Sequence, residues 1–467
     1  MANKGKPFAF LLILFLCLAS FITVKALDKS DTTLTKCIKG CQRKYPQSPE
    51  ERYRACQQHC ESTELQHRPE CRQQCIDKYK KERKDNNPYA FEEQHFTTLI
   101  ESQHGSLRIL QKFLDHSKLL SGINSFRFGF LEVGPHALLV PSHLDANLLN
   151  VVLRGRGRVS LVRSKGRQSL SLQPGDIYRI PAGTTAYLIN INKTEKLEIA
   201  SLIQPVSTPS KFQAFFGAGG QNPKGFLTTF SPELLEAAYK VNRDRLQRFL
   251  GQKNEGFFVD ASEEQIRALS DQAGEKGSRP FGKSRSTINI LHQRPVHSNK
   301  YGEIRDVKPD DFKPFQDLNG AMSTMFFNSK ATKICVVPNG KGYIQMACPQ
   351  LSSSSSEESE QGHGNGGSHE QSPGYKQLNT QLRPGIVFIA PPGHPFVMVA
   401  SSNQKLEVLC FVINARNNER TPLAGGNNIL NQLEEVAKEL AFNMPSEEVD
   451  SILRSQKNEW FMKGPSP

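Results

Sequence analysis

The chain has 467 residues with a hydrophobic content of 37%, so at roughly 150 residues per domain it is long enough for about three folded units, which excludes a single small module. Its 59 Lys and Arg residues exceed its 46 Asp and Glu residues and give a formal net charge of +13. This excess is mostly dispersed, and the basic stretch 78–84 has no nucleic-acid-binding fold beside it. We therefore expect no nucleic-acid partner.

The first 26 residues have the features of a secretory signal peptide. Lys4 and Lys6 precede an apolar run over residues 8–19, and Ala26 ends a small-residue cleavage site. The apolar run is shorter than the ~20 residues that span a bilayer, and no second run follows. We predict that residues 1–26 are removed and that the mature protein has no membrane partner.

Residues 27–85 form a Cys-rich segment with a basic linker and contain almost no large apolar residues, so they cannot bury a core of their own. Six cysteines form three Cys-x3-Cys pairs there, at Cys37, Cys41, Cys56, Cys60, Cys71 and Cys75. A spacing of four places both thiols of a pair on one helix face, so two disulfides between two pairs would staple an antiparallel helical hairpin. Zinc is the alternative, although its knuckles usually have two residues between the cysteines. Either the first and second pairs or the second and third would close the hairpin.

Three further cysteines lie far downstream, at Cys335, Cys348 and Cys410, while Cys17 leaves with the signal peptide. The number of cysteines in the mature chain is therefore odd, and at least one thiol has no partner within the chain. Cys335 and Cys410 fall in apolar strands, where we expect buried, reduced thiols.

From residue 87 onward, short alternating apolar runs separated by Gly, Pro and Asn are typical of an all-β sandwich or barrel. The clearest strands form two sets, at 148–153, 158–163, 177–180 and 187–191, and then at 321–327, 333–337, 342–347, 386–389, 396–400 and 406–415. Helices are predicted after each set. Ser231, Ser262 and Ser446 carry helix-start signals, and a stripe of Leu430, Leu433, Val436 and Leu440 predicts a further helix.

The two sets of strands are an internal duplication. Residues 143–157 align with 328–342 at an offset of 185, which pairs His143 with Asn328, Asn150 with Cys335 and Gly157 with Gly342. Residues 173–183 align with 383–393 at an offset of 210, through one Pro-Gly step and one Pro-x-Gly step in each copy. The difference reflects a Ser-, Gly- and His-rich insertion at about 351–374, whose composition predicts a disordered surface loop.

The block Pro174-Gly175-Asp176-x4-Ile180-Pro181-Ala182-Gly183 resembles the second conserved motif of the cupin barrel. The stretches Asn87-Pro88-Tyr89, Phe215-Phe216-Gly217-Ala218-Gly219-Gly220 and Gly393-His394-Pro395, together with the Cys-rich segment, make the chain similar to vicilin-type 7S seed storage globulins. The resemblance implies a mainly β fold of two tandem cupin jelly-roll barrels, at 86–270 and 271–467, each followed by a small helical appendage. It also implies a homotrimer that travels through the secretory pathway to the protein storage vacuole.

A cupin enzyme resembling oxalate oxidase would need three His and one Glu to hold manganese or iron. The matching positions in the first barrel are His143, Asp145, Asn150 and Ala186, and those in the second are Asn328, Lys330, Cys335 and Phe396. One imidazole and one carboxylate remain at most, so we predict no enzymatic activity and no required cofactor. An enzyme that uses an unfamiliar set of metal ligands stays as an alternative.

Many vicilins carry Cys-Pro-His on one strand and Gly-His-Pro on a facing strand, a pair that resembles a soft copper site. Here the match is Cys348-Pro349-Gln350 with His394, and Gln350 replaces the expected His. Tyr89 is a candidate third ligand through its phenolic oxygen. The resemblance implies weak copper binding, and the alternative is a buried thiol beside a turn histidine.

Two further expectations concern modification and ligands. Asn192 begins the only Asn-x-Ser/Thr sequon of the mature chain, which predicts glycosylation. The function predicted from the resemblance is a nutrient reservoir. The alternative is a binding module that holds a small organic anion or a metal inside a barrel, a role that interior basic residues would favour. The Cys-rich segment resembles antimicrobial helical-hairpin peptides, and the resemblance implies an antimicrobial action if the segment is released from the chain.

Overall fold

The computed structural model describes residues 87–464 apart from residue 165 and the segments 218–221, 252–255, 272–285, 308–320, 323–326, 350–373 and 402–403. The predicted signal peptide, the Cys-rich hairpin with its six cysteines and nearly all of the insertion at 351–374 lie outside the described residues. Residues 88–467 form one compact unit.

The protein is mainly β. The strands of the first half are β1 (Ala90–Phe91), β2 (Phe96–Ser102), β3 (Gly105–Leu110), β4 (Arg127–Val133), β5 (Ala137–Leu144), β6 (Ala146–Arg154), β7 (Gly157–Arg163), β8 (Gly166–Leu172), β9 (Asp176–Ile180), β10 (Thr185–Asn190), β11 (Leu197–Pro205), β12 (Ala214–Phe216) and β13 (Phe258–Asp260). Those of the second half are β14 (Thr287–Asn289), β15 (His297–Asn299), β16 (Gly302–Ile304), β17 (Ala321–Met322), β18 (Phe327–Asn328), β19 (Thr332–Asn339), β20 (Gly342–Cys348), β21 (Lys376–Leu382), β22 (Val387–Ala390), β23 (Phe396–Ala400), β24 (Glu407–Ile413) and β25 (Arg420–Thr421).

The helices are short. They are α1 (Phe113–His116), α2 (Pro232–Tyr239), α3 (Arg243–Leu250), α4 (Glu263–Asp271), α5 (Glu435–Phe442) and α6 (Ser446–Leu453), and 3-10 segments span Glu93–His95, Lys118–Ile123, Phe226–Thr229, Ile290–His292 and Ile429–Gln432. Among the described residues, no helix combines the length and apolar character needed to cross a bilayer.

The sheet order confirms the duplication. The order β9-β6-β11-β4 in the first half recurs as β22-β19-β24-β17 in the second, and β8-β7-β10 recurs as β21-β20-β23. The turns repeat as well, because Gly155 and Gly340 have φ angles of +80° and +86°. A Cβ at these positions would lie 2.3 Å from Lys196 O and 2.0 Å from Lys405 O, so only glycine fits both turns.

Each half lends a strand to the sheet of the other. The β1 strand pairs with β22, with Phe91 opposite Val387, and β14 pairs with β9, with Ile288 opposite Ile177. One hydrophobic cluster therefore contains residues of both halves, and the rings of Phe128 and Phe411 meet at 5.8 Å. The exchange places the segment around residue 89 beside the second barrel.

The helix-start signals are confirmed in part. Ser262 and Gln265 form the predicted capping box, with Gln265 N donating to Ser262 Oγ (3.2 Å) and Ser262 N donating to Gln265 Oε1 (2.9 Å). Ser446 is not an N-cap, because Pro445 occupies that position and Ser446 is already helical. The predicted stripe of four apolar residues does not lie on one helix, since the extended residue Leu433 separates the 3-10 segment from α5.

The prediction of reduced thiols at Cys335 and Cys410 is wrong. Both side chains are buried, as expected, but they form a disulfide. The register of β19 and β24 places the two residues directly opposite each other, with their Cα atoms 4.0 Å apart. The equivalent pair in the first barrel is Asn150 and Ser201, where Ser201 Oγ donates to Asn150 Oδ1 at 2.7 Å. The same cross-strand position is thus bridged covalently in one barrel and by a hydrogen bond in the other.

Candidate functional site

The cupin metal positions of the first barrel are engaged by the protein itself. The His143 ring stacks on Phe215, with centroids 5.0 Å apart, and contacts the edge of Phe226 at 6.0 Å. Asp145 Oδ1 accepts a hydrogen bond from Gln213 N at 2.6 Å. Asn150 is bonded to Ser201, as described above, and the fourth position is the apolar Ala186. These contacts leave no set of convergent ligands.

The same positions in the second barrel are no better suited to a catalytic metal. Cys335 is held in the disulfide, Phe396 is buried, and Lys330 is exposed. Asn328 is buried and accepts a hydrogen bond from Asn418 Nδ2 at 3.0 Å. Within the described parts of the chain, no group of three or more His, Cys, Asp or Glu side chains could hold a metal ion.

The second barrel contains a group of charged and polar residues of which the sequence analysis named only Asn328, as a metal position. We call it the buried charge cluster, and its members are Lys333, Asp306, Arg420 and Asn328. Lys333 is 0% exposed, and its Nζ lies 5.8 Å from the centroid of the Phe396 ring. Asp306 is buried and pairs with Arg420 at 2.5 Å.

Three polar atoms of this cluster remain unsatisfied. Among the described residues, Lys333 Nζ, Asn328 Nδ2 and Asp306 Oδ1 have no hydrogen-bond partner. Burial lowers the pKa of Lys333 to about 7, with a further lowering from the positive charge of Arg420 and an opposing effect of Asp306. The sequence did carry a signal, because Lys333 directly precedes the apolar run 334–337, at a position where the first barrel has Leu148.

A second candidate site, the thiol–imidazole site, consists of Cys348, His394 and Tyr89. Met346 lies opposite Phe396 in the β20–β23 pair, so the same register brings Cys348 level with His394. The rings of Tyr89 and His394 meet edge to face at 5.8 Å. All three side chains are buried, and Cys348 is the free cysteine of the described residues. Gln350 lies outside the described residues.

The electrostatics of the thiol–imidazole site favour neutral groups. Burial raises the pKa of the Cys348 thiol to about 11 and, with the neighbouring Cys348, raises that of Tyr89 to about 12. Burial lowers the pKa of His394, and its Nδ1 lies 2.9 Å from Pro392 O. A neutral imidazole suits a soft metal, but the metal would have to displace the thiol proton.

The predicted glycosylation residue lies in the turn between β10 and β11. Asn192 is partly exposed, and its Oδ1 accepts hydrogen bonds from the backbone N–H groups of Thr194 (3.0 Å) and Glu195 (3.2 Å). Its Nδ2 donates to the Glu195 carboxylate at 3.3 Å. The side chain is therefore folded back on its own turn, and glycosylation stays a prediction.

Comparison with known proteins assigns residues 114–247 and 288–450 to the cupin family. The chain is 42% identical over 452 residues to the vicilin Cor a 11.0101 of Corylus avellana, a match that covers 94% of this chain and 97% of that protein. It is 37% identical over 452 residues to the vicilin-like antimicrobial peptides 2-3 of Macadamia integrifolia, with coverage of 88% and 72%.

Solved structures agree with the sequence relatives. The crystal structure of the Corylus avellana vicilin has a TM-score of 0.72 at 42% identity and covers 81% of this chain and 100% of that one. The crystal structure of the Solanum melongena vicilin, which revealed different anionic ligands in structurally similar pockets, has a TM-score of 0.74 at 30% identity, with coverage of 82% and 100%. The chain therefore belongs to the vicilin family of seed storage globulins, which are built from two cupin barrels.

Proposed function

We propose that this protein is a nutrient reservoir without enzymatic activity, which enters the secretory pathway, accumulates in the protein storage vacuole and is later hydrolysed to supply nitrogen. One observation carries the proposal. Both barrels keep the cupin scaffold, while the side chains at the catalytic metal positions pack on the protein itself, as His143 does on Phe215, or are oxidised, as Cys335 is. Its membership of a storage globulin family supports the same conclusion.

Two measurements test the reservoir role. The purified protein, supplied with manganese or iron, is assayed for oxidation of oxalate and of phenolics beside an active cupin oxidase. We expect no turnover above the buffer blank, and metal-dependent turnover would overturn the proposal. Antibody labelling of developing and germinating seed tissue should show accumulation in the storage vacuole and later loss, and an unchanged level through germination would also contradict it.

We also propose a homotrimer in which the helices after each barrel cover the neighbouring protomer. Large apolar side chains of these helices are exposed in the single chain, among them Leu234, Phe249, Val436 and Leu440. Exposed apolar groups on two separate appendages are what a closed ring of identical subunits would bury. Light scattering of the purified protein tests this, since a monomeric mass would rule out the trimer.

Weak copper binding at the thiol–imidazole site is proposed as an accessory property. Cys348 and His394 would supply sulfur and nitrogen, and Tyr89 would supply oxygen. Because the thiol pKa is about 11, binding must displace a proton, and this lowers the affinity near neutral pH. Elemental analysis after incubation with copper should show more metal on the wild-type protein than on Cys348→Ser. Equal metal contents would eliminate the site.

A second candidate function is the binding of a small organic anion inside the second barrel. Lys333, which is buried, and Arg420, which is partly buried, favour it, because interior basic residues attract an anion. Within the part of the chain that the structure describes, Arg420 has a carboxylate within ion-pair distance and Lys333 does not. The anionic ligands of the Solanum melongena vicilin support the same interpretation. Native mass spectrometry of protein purified without added carboxylates, and again after addition of glycolate, should show a bound mass that Lys333→Met lacks.

A defence role of the Cys-rich segment is the remaining proposal. The Macadamia integrifolia relative is named for antimicrobial peptides, and the match spans 88% of this chain. Growth inhibition assays with the isolated segment 27–85, oxidised and reduced, test the idea. Inhibition only by the oxidised peptide is expected, and no inhibition by either form would contradict it.

A further inference from the structure

The connection between β19 and β20 contains an Asn-Gly pair, Asn339 and Gly340. Asn339 is the last residue of β19, and it is exposed. The connection carries the chain from one sheet of the second barrel to the other, because β19 belongs to the five-stranded sheet and β20 to the three-stranded sheet. Gly340 has a φ of +86°, and a Cβ there would lie 2.0 Å from Lys405 O. The pair therefore forms an exposed corner whose backbone has little room to change.

The carboxamide of Asn339 is turned towards the backbone nitrogen of the next residue. Gly340 N donates a hydrogen bond to Asn339 Oδ1 at 2.9 Å. Oδ1 is bonded to Cγ, the carbon that this nitrogen attacks when an Asn-Gly pair closes a five-membered succinimide ring. Reacting groups that are already side by side need little further ordering, and Gly340 has no side chain to obstruct the approach. The folded turn therefore holds the nucleophile beside its electrophile.

Two other asparagines show a different arrangement. Asn299 is also exposed, but its Oδ1 accepts a hydrogen bond from Tyr301 N, two residues ahead, at 2.8 Å. Asn192 Oδ1 likewise accepts from Thr194 N, two residues ahead, at 3.0 Å. In both cases a lysine follows the asparagine, and its side chain crowds the backbone nitrogen that would have to attack. These two residues are natural comparisons for Asn339 within the same chain.

The charges near the Asn-Gly corner favour ring closure slightly. Asn339, Lys341 and Lys405 line one surface hollow. Lys405 pairs at 2.9 Å with Glu407, the residue opposite Asn339 in the β19–β24 register, and this hydrogen bond raises the pKa of Lys405. With Lys341, the ionisable groups at the corner have a net positive charge, which stabilises the negative charge that develops on Gly340 N and on Oδ1. The effect is small because these groups are exposed to solvent.

We propose that Asn339 is a site of spontaneous deamidation, promoted by the geometry of its own turn. Gly340 N loses its proton to solvent and forms a bond to Asn339 Cγ. The bond from Cγ to Nδ2 breaks, and Nδ2 takes up a proton from solvent and leaves as ammonia. Water then opens the succinimide at either carbonyl, which gives aspartate or isoaspartate at position 339. Water is the only other reactant, and no electrons are transferred.

The isoaspartate product does not fit the present turn. Its backbone runs through the former side-chain carbons of residue 339, so the main chain gains one carbon atom at a corner that packs against Lys405. The second barrel should therefore lose stability when isoaspartate forms. The equivalent turn of the first barrel has Arg154 before Gly155 and cannot undergo the reaction. Deamidation at these turns is thus confined to one of the two barrels.

Peptide mapping of the intact folded protein tests the proposal. The protein is incubated at pH 8 and 37 °C, samples are digested at intervals, and electron-transfer fragmentation separates aspartate from isoaspartate. We expect conversion of Asn339 to be at least about tenfold faster than conversion of Asn192 and Asn299, with isoaspartate among the products. Asn339→Gln should show no conversion at this position over the same period, because its ring would need a sixth member. The isoaspartate fraction should unfold at a lower urea concentration than the unmodified protein.

The duplicated turn supplies a matched gain-of-function variant. Gly155 has a φ of +80°, and a Cβ there would lie 2.3 Å from Lys196 O, so the turn has the same shape as the turn at Gly340. Arg154→Asn places an asparagine before Gly155 and should create a second site that converts at a rate similar to that of Asn339. Circular dichroism checks that this variant is folded.

Each contrary result overturns the inference. Conversion of Asn339 no faster than that of Asn192 and Asn299 would remove the role of the local geometry, and so would a folded Arg154→Asn variant without conversion at position 154. Aspartate without isoaspartate would indicate direct hydrolysis rather than attack by Gly340 N. Conversion at position 339 in urea-unfolded but not in folded protein would show that the turn protects the pair. None of these results bears on the proposed reservoir function, which the oxidase and seed-tissue assays test separately.

Discussion

Replacement of Lys333 by Met should remove one specific pH dependence from the free energy of unfolding. The unfolded chain keeps this lysine protonated up to its ordinary pKa of 10.5, whereas the folded chain releases the proton near pH 7. Between these values the unfolded state binds more protons, so the stability of the wild-type protein rises with pH. Below pH 7 both states are protonated, and the full cost of the buried charge is present.

The magnitude follows from the two pKa values. Each unit of difference is worth 1.36 kcal/mol, so a lowering from 10.5 to about 7 corresponds to a cost of about 4 kcal/mol at pH 7 and about 2 kcal/mol at pH 9. The stability advantage of Lys333→Met over wild type should therefore shrink by about 2 kcal/mol across this range. Urea unfolding at pH 7, 8 and 9, at fixed protein concentration and without added carboxylates, measures it. Lys330→Met is the control, and parallel pH curves for Lys333→Met and wild type would refute the reasoning.

Three other predictions concern the scaffold and the assembly. Gly340→Ala should lower the free energy of unfolding by roughly 2 kcal/mol or more in urea unfolding, because the φ of Gly340 is +86° and the new Cβ would lie 2.0 Å from Lys405 O. Gly122→Ala is the control and should be nearly neutral, since no atom lies within 4 Å of its new Cβ. Equal effects of the two substitutions would contradict the turn argument. Replacing both disulfide cysteines, which are 75 residues apart, by Ala should lower the free energy of unfolding by about 4 kcal/mol. A urea midpoint that is the same for the double variant, the reduced wild-type protein and the oxidised wild-type protein would contradict a stabilising disulfide. Leu440→Asp should convert the proposed trimer to a monomer in light scattering, whereas Leu99→Asp, at another exposed leucine, should leave the proposed trimer intact. A trimeric Leu440→Asp variant would exclude α5 from the proposed interface.

Most of the fold could be predicted because its local signals are strong. The predicted strands at 158–163 and 396–400 lie within the observed β7 and β23, since alternating apolar residues and flanking Gly or Pro residues define strands locally. The offset of 185 correctly pairs β6 with β19 and β7 with β20. Helix boundaries were less accurate near residue 446, where Pro445 takes the cap position that a Ser usually occupies.

The candidate sites were predictable only in part. Cys348 and His394 were paired from a family motif, and the strand register brings them level. The place of Tyr89 was not inferable, because it depends on β1 joining the sheet of the other half. Cys335 and Cys410 gave no local sign of pairing, since a cross-strand disulfide depends on a register that apolar patterning does not specify to the residue.

The amino-acid sequence by itself determined the β class, the duplication, the turns that only glycine fits and the replacement of the catalytic metal ligands, because each of these follows from residue type and spacing along the chain. Only the tertiary structure decided which strands the two halves exchange, which cysteines meet, and that Lys333 faces a closed interior rather than solvent. The physical reason is that burial and cross-strand register arise from contacts between residues far apart in the chain. A lysine in a strand has the same local propensity whether its ammonium reaches water or, as here, is buried 5.8 Å from the centroid of an aromatic ring.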